Sequence, residues 1–183
     1  MVKRIFVEKK PAFAVEAKSL LVDLQNTLGI TTLTNLRLIN RYDISGINTE
    51  EYQLAKSIVL SEPPVDDVYD EELPIDTETF FIVEYLPGQY DQRADSAAQC
   101  IQILTQKNPP LVNYAKVYLL YGNITEEQLL QIKKYCINPV EAREAISTKP
   151  ESLEIIHAEP ENVLSLQGFT KMSKEQLQEF KNS

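Results

Sequence analysis

An internal repeat constrains this chain more than any other feature. Shifting the sequence by 76 residues lays its first half on its second without a gap. Val7-Glu8 falls on Val83-Glu84, Pro11 on Pro87, Leu28 on Leu104, Tyr42 on Tyr118 and Gly46 on Gly122. Thr49-Glu50-Glu51 falls on Thr125-Glu126-Glu127, Leu54 on Leu130 and Pro63 on Pro139. The matches are sparse, but their offset is constant and they sit at element boundaries. They point to two copies of one plan, halves 1–61 and 80–145, joined by a connector at 62–79.

Each half reads β-α-β-α. Ile5-Phe6-Val7 and Phe80-Phe81-Ile82-Val83 are short runs of β formers, ended by Pro11 and Pro87, which cannot donate to a ladder. A helical stripe follows: Ala17, Leu20, Leu21, Leu24 and Leu28 in the first half, Ala94, Ala97, Ala98, Ile101 and Leu104 in the second. Gly29 suits the first helix's C-terminal end. Strands are expected at Asn35 to Ile44 and Tyr114 to Tyr121, closed by Gly46 and Gly122. Thr49 and Thr125 are the expected N-caps of a second helix in each half, Thr125 forming a capping box with Gln128. Leu54, Ala55, Ile58 and Val59 supply one apolar face, and Leu129, Ile132 and Cys136 the other. Two strands and two helices bury little alone, so the copies should share one sheet or face each other as two. The expectation is an α+β domain over 1–145 with approximate two-fold symmetry. Adjacent strands of a β-α-β unit would run parallel, whereas an intervening strand would make the pattern ferredoxin-like; the sequence leaves both open.

The formal charge of -9 is local. Glu62, Asp66, Asp67, Asp70, Glu71, Glu72, Asp76 and Glu78 follow one another with no Lys or Arg between, and without them the chain is near neutral. With Pro63, Pro64 and Pro74 in the same stretch, 62–79 reads as an extended solvated linker. Nothing resembles a basic nucleic-acid footprint. No apolar run reaches the roughly 18 residues of a membrane span, and the first residues lack a signal-peptide core. Two cysteines without CxxC and a single His leave little room for a zinc site or a disulfide scaffold. These features suggest a reduced, cytoplasmic protein without nucleic-acid or membrane partners.

No active site is complete. The five glycines are scattered singly, so no phosphate loop exists. Under the 76-residue shift Cys100 and Cys136 replace Leu24 and Leu60, so both should be buried, inert thiols. His157, near Glu159, reads as a surface residue. Two polar clusters stand out instead. Gln89, Asp91, Gln92, Arg93 and Asp95 crowd the point where a strand hands over to a helix. The first half reads Pro11-Ala12-Phe13-Ala14-Val15-Glu16-Ala17 there, an apolar version, so packing does not demand polarity; an interface or ligand role and a solvated helix start both stay open. The acids also argue against a phosphate at that helix start. Asn138, Glu141 and Arg143 form a second turn, read as a solvated short helix or a docking point. These eight residues are the candidate interface; no catalytic, cofactor or metal residue is assigned.

The stretch Leu86-Pro87-Gly88-Gln89-Tyr90-Asp91-Gln92-Arg93-Ala94-Asp95-Ser96-Ala97-Ala98-Gln99-Cys100 resembles a signature of phosphoribosylformylglycinamidine synthase in its long single-chain form. Val7-Glu8-Lys9-Lys10-Pro11, Asn40-Arg41-Tyr42-Asp43 and the run from Ile132 through Asn138-Pro139-Val140 to Glu144 resemble the same family. The resemblance implies an enzyme that converts formylglycinamide ribonucleotide, glutamine and ATP into the amidine in purine synthesis. It also implies an N-terminal domain built like a dimer of a small subunit, then a linker, an ATP-using synthetase and a glutaminase. The 76-residue repeat agrees with the first part. Residues 146–183 would then begin a truncated linker region, with Ser173 and Gln176 boxing a last thin helix. ATP and magnesium would belong to the absent domains, and none of their residues transfers to a position here. The implied role is a non-catalytic scaffold partnering the synthetase and glutaminase domains; a small-ligand regulatory module is the alternative.

Overall fold

Two long strands carry the architecture of the computed structural model, which describes residues 1–154 and 169–182. β2 (Leu33–Ser45) and β5 (Leu111–Gly122) pair antiparallel along nearly their whole length at the centre of a six-stranded sheet. β1 (Lys3–Lys9) and β4 (Phe80–Tyr85) flank them, and β3 (Asp66–Asp70) and β6 (Ala142–Glu144) form the edges. The order is β3-β1-β2-β5-β4-β6, with every ladder antiparallel. Helices α1 (Val15–Thr27), α2 (Thr49–Ala55), α3 (Gln92–Thr105) and α4 (Glu126–Cys136) accompany the sheet, and a π-helical turn, Lys56–Leu60, continues α2. The fold is α+β, consistent with a ferredoxin-like sheet packed with helices. A further helix, α5 (Lys174–Asn182), follows a 3-10 turn at Phe169–Lys171.

The strand registers obey the 76-residue offset. Ile5 opposes Tyr42 and Phe81 opposes Tyr118; Val7 opposes Val68 and Val83 opposes Glu144. In the central ladder Asn40 faces Lys116, its own counterpart. The helices obey an offset of 77 instead. N-caps Ala14 and Asn48 correspond to Asp91 and Thr125, and buried Ala17 and Leu24 to Ala94 and Ile101. The left-handed residues Gly29 and Gln106 follow the same spacing. Corresponding strands and helices thus differ in offset by a single residue.

That single residue corrects several expectations. The N-cap of α2 is Asn48, not Thr49; its side chain accepts from Glu51 N at 2.9 Å while Glu51 bonds back to its amide. Thr125 caps α4 with Gln128 as expected. Cys100 is exposed rather than buried, because Leu24 corresponds to Ile101, its neighbour. On α2 the buried residues are Tyr52 and Ala55, whereas Leu54 and Ile58 face outward. The strand expectation is corrected as well. β1 and β2 are adjacent yet antiparallel. β2 overruns the end of β1, and α1 packs on that overhang instead of crossing the sheet, so no parallel return is needed.

The helices bury one face through two clusters, each drawing on both halves. Ile5, Val7, Tyr42 and Ile44 of the first half receive Tyr52 and Ala55 from α2, and Ala97 and Ile101 from α3. Phe81, Tyr118 and Leu120 of the second half receive Ala17 and Leu24 from α1, and Ile132 from α4. The Phe81 and Tyr118 rings stack with centroids 4.6 Å apart. Each fully buried Leu or Ile here contributes about 1.5–3 kcal/mol. Because α1, lying on the β2 overhang, also packs on Phe81, Tyr118 and Leu120 of the other half, neither half encloses its own core.

On the opposite face Phe6, Ile39, Ile82, Val117 and Leu119 pack against Tyr69, Leu73 and Ala145. Here 62–79 departs from a solvated linker. Asp66–Asp70 adds an edge strand to β1, Asp66 is buried against Lys9 at 2.9 Å, and Arg37 binds Asp76 at 3.3 Å. Asp66 thus finds its partner on β1 and Asp70 on Tyr52 and Lys56 of the helical segment above, and the strand's charge protects an open edge. The turn at 138–144 likewise ends in a short strand, β6, not in a helix.

Candidate functional site

The two polar clusters meet at one cleft. Gly88, with φ +87, turns the chain out of β4, and Gln89 N closes that turn on Leu86 O at 3.0 Å. Asp91 then caps α3, accepting from the Arg93 and Ala94 amides at 3.0 Å each. After α4, Asn138 Oδ1 accepts from Val140 N at 3.2 Å, and its carbonyl accepts from Ala142 N at 2.8 Å. One backbone bond ties the turns together, Leu86 N to Glu141 O at 2.9 Å. Between them, above β4 and β5, opens a cleft of about 630 Å³, within the usual range of ligand or side-chain pockets.

Asp91, Gln92, Arg93, Asn138 and Glu141 line the cleft. The other three candidates do not. Gln89 is exposed on the turn, and Asp95 accepts from Tyr90 Oη and Gln99 Nε2 at 2.7 Å. Arg143 pairs with Glu84 at 2.8 Å, and Glu84 itself reaches the cleft. The sequence reading missed Tyr85, Tyr114, Lys116 and Tyr118 as lining residues. A signal existed for Lys116: it interrupts the apolar alternation of β5 on its helix-covered face. His157 lies outside the described residues.

The charges are mostly committed. Lys116 pairs with Glu16 of α1, Glu84 with Arg143, and Asp91 with helix amides. Burial raises the Asp91 carboxyl above its ordinary value despite those two amide donors. Arg93 sets its guanidinium 5.2 Å from the Tyr114 ring centroid, a cation–π arrangement. Among the described residues, Arg93 and Glu141 form no salt bridge. No opposite charge among the described residues claims either side chain, although Arg93 also bonds to the Tyr42 hydroxyl. Cys136 is poorly suited to attack, since burial pushes its thiol up to about 11. No group of three His, Cys, Asp or Glu able to hold a metal ion occurs among the described residues. The start of α3 is closed to phosphate by Asp91. The arrangement is suited to recognition, and it places no activated nucleophile beside a base.

The first half provides an internal comparison. Ala14 stands at the position of Asp91, Val15 at Gln92, Leu38 at Tyr114 and Val65 at Glu141. The bond from Leu86 to Glu141 has its twin in Lys10 N to Val65 O, also 2.9 Å. Four cleft positions of the second half thus answer apolar residues of the first, whereas Arg93 and Lys116 answer the polar Glu16 and Asn40. No family model matches the chain, and no curated protein matches it. Among the described residues no helix is long and apolar enough to cross a membrane.

Proposed function

We propose that this chain is a non-catalytic assembly domain of a glutamine-dependent, ATP-using ligase that forms the amidine from formylglycinamide ribonucleotide. Its partners are the synthetase and glutaminase domains of that enzyme, and it works in the cytoplasm. Its task is to hold the two chemistries in register so that ammonia passes between them without escaping to water. ATP and magnesium act in the partner domains.

The cleft carries this reading. Five of the eight interface candidates converge on it, and its Asp91, Gln92, Tyr114 and Glu141 answer apolar residues of the first half. Tyrosines around one unpaired Arg are the residue types that anchor protein interfaces. The test is to mix the chain with a separately expressed synthetase–glutaminase chain and measure binding and glutamine-dependent turnover together. Binding with gain of turnover is expected, and Arg93→Ala with Glu141→Ala should weaken binding at least tenfold. A folded chain that neither binds nor raises turnover refutes the proposal. So does glutamine- and ATP-dependent turnover by the chain alone. A second reading, a small-ligand regulatory module, rests on the cleft's volume. Calorimetry with purine nucleotides, the substrate and glutamine tests it, and heat lost in Arg93→Ala would favour it over assembly.

A further inference from the structure

The sheet's second face holds an ionic cluster that the fold does not require. Arg4, Arg41 and Asp43 are 4%, 5% and 2% exposed. Arg4 donates to both oxygens of Asp43, at 2.6 and 2.8 Å. Arg41 Nε lies 3.7 Å from the same carboxylate, an ion pair without a hydrogen bond. Their counterparts in the second half are Phe80, Val117 and Leu119, in the same register and apolar. Two arginines share one carboxylate, so the cluster keeps spare donors. These go to the backbone that follows β6: Arg4 Nη1 to Ser147 O at 2.6 Å and Arg41 Nη1 to Ile146 O at 3.0 Å.

The same segment is tied at both ends. Ala145 N donates to Ile82 O at 2.8 Å, on β4. Lys149 Nζ reaches Val2 O at 3.3 Å, beside β1, and pairs with Glu71. Residues 145–149 thus run from one side of the sheet to the other across the face without helices. Beyond them Glu151, Ser152 and Glu154 border the end of the sheet where β1 and β5 begin, with Val2, Gly46 and Pro110. Leu153 is buried.

We propose that 145–149 is a strap latched by the Arg4–Asp43–Arg41 cluster, and that this latch fixes where the chain leaves the sheet. The strap offers carbonyls, so its sequence matters little; the arginines supply the specificity. Burying a charge triad is justified if its unused donors select one path for a segment that has few apolar contacts of its own. The latch is independent of the proposed docking cleft, which lies on the opposite face.

Thermolysin nicking between residues 145 and 153, located by mass spectrometry, reads the latch directly. Arg41→Met keeps the Arg4–Asp43 pair but removes one tie. Nicking should rise about tenfold, the worth of one hydrogen bond from a charged donor, with far-UV circular dichroism unchanged. The triple variant R4F/R41V/D43L borrows the apolar residues of the other half and should nick faster still. If either core variant fails to fold, exposed Lys149→Ala decides, with a several-fold rise expected. An unchanged nicking rate at 145–153 in folded Arg41→Met, or in Lys149→Ala where that variant decides, overturns the proposal.

Discussion

Truncation of Ile101 to Ala tests the one-residue offset between strands and helices at its most decisive point. A gapless repeat buries Cys100, whereas the folded chain buries Ile101, which is 0% exposed between α2 and the sheet. Removing its three outer carbons leaves a cavity against Ile5, Tyr42 and Ala55, and Ile-to-Ala changes at such sites cost about 2–5 kcal/mol. For a chain of this size each kcal/mol lowers the melting temperature by roughly 2–4 °C. Ile101→Ala should therefore lower it by roughly 6–12 °C for a mid-range loss of about 3 kcal/mol. Cys100→Ser, at an exposed position, should stay within about 0.5 kcal/mol. Urea unfolding with an unchanged slope is the assay, because a change of midpoint alone reports stability. Thiol labelling supplies an independent reading. Cys100 should react at once in the native state, while Cys136, its thiol pushed up to about 11, should react slowly. If Cys100→Ser destabilises as much as Ile101→Ala, or Cys100 resists labelling until the chain unfolds, the helix register argued here is wrong.

Three further outcomes follow from the same geometry. Asn48→Ala and Thr125→Ala should each cost about 1 kcal/mol through loss of a cap, and Thr49→Ala much less, read by the same unfolding curves. Residues 1–79 expressed alone should give no monomeric folded species, because α1 lacks the Phe81–Tyr118–Leu120 floor; scattering-coupled chromatography showing a cooperative monomer would refute this. Tyr52→Phe removes the 2.6 Å bond from the Tyr52 hydroxyl to Asp70. Burial raises the Asp70 carboxyl, but bonds from Lys56 and Tyr52 outweigh it and leave the net value lowered. A carboxylate lowered by folding stabilises above its unfolded value near 3.8 and loses that contribution as pH falls through the folded value. The Tyr52→Phe deficit of about 0.5–1.5 kcal/mol should thus be full at pH 6 and shrink below about pH 4; a deficit that does not change with pH would contradict it.

What the sequence disclosed was whatever depends on local pattern. Strand positions, the Thr125 cap and the Leu24 stripe all appear in residue order, because period and capping chemistry are short-range. Asn48 and Cys100 were misplaced by one position because a gapless shift cannot see a compensated insertion. The edge strand at Asp66–Asp70 was hidden for a different reason. Its acids resemble solvated linker, and only the ladder to β1, with Lys9 and Lys56 waiting for Asp66 and Asp70, makes that composition compatible with a strand. The cleft was half legible. Its two turns stand out as polar clusters, but their meeting depends on the Leu86–Glu141 backbone bond across the β4–β6 edge. Tyr114 and Tyr118 looked like ordinary strand residues until that meeting exposed them.

The shared frame also separates what folding needs from what it tolerates. At most positions the halves answer one another with similar chemistry: Tyr42 with Tyr118, Ala17 with Ala94, Leu24 with Ile101. Two of the places where they part stand out. The second half exchanges apolar residues for Asp91, Tyr114 and Glu141 and opens a cleft. The first half exchanges them for Arg4, Arg41 and Asp43 and captures the outgoing chain. At these six positions the opposite half shows that an apolar residue folds, so polarity there needs a cause beyond the core. The two departures also lie on opposite faces of one sheet. The helix-covered face keeps an opening in which Arg93 and Glu141 form no salt bridge among the described residues, while the other face spends its charges inwardly on the strap. The proposed assembly role would use both properties: one surface left incomplete for a partner, and one fixed point from which the chain departs.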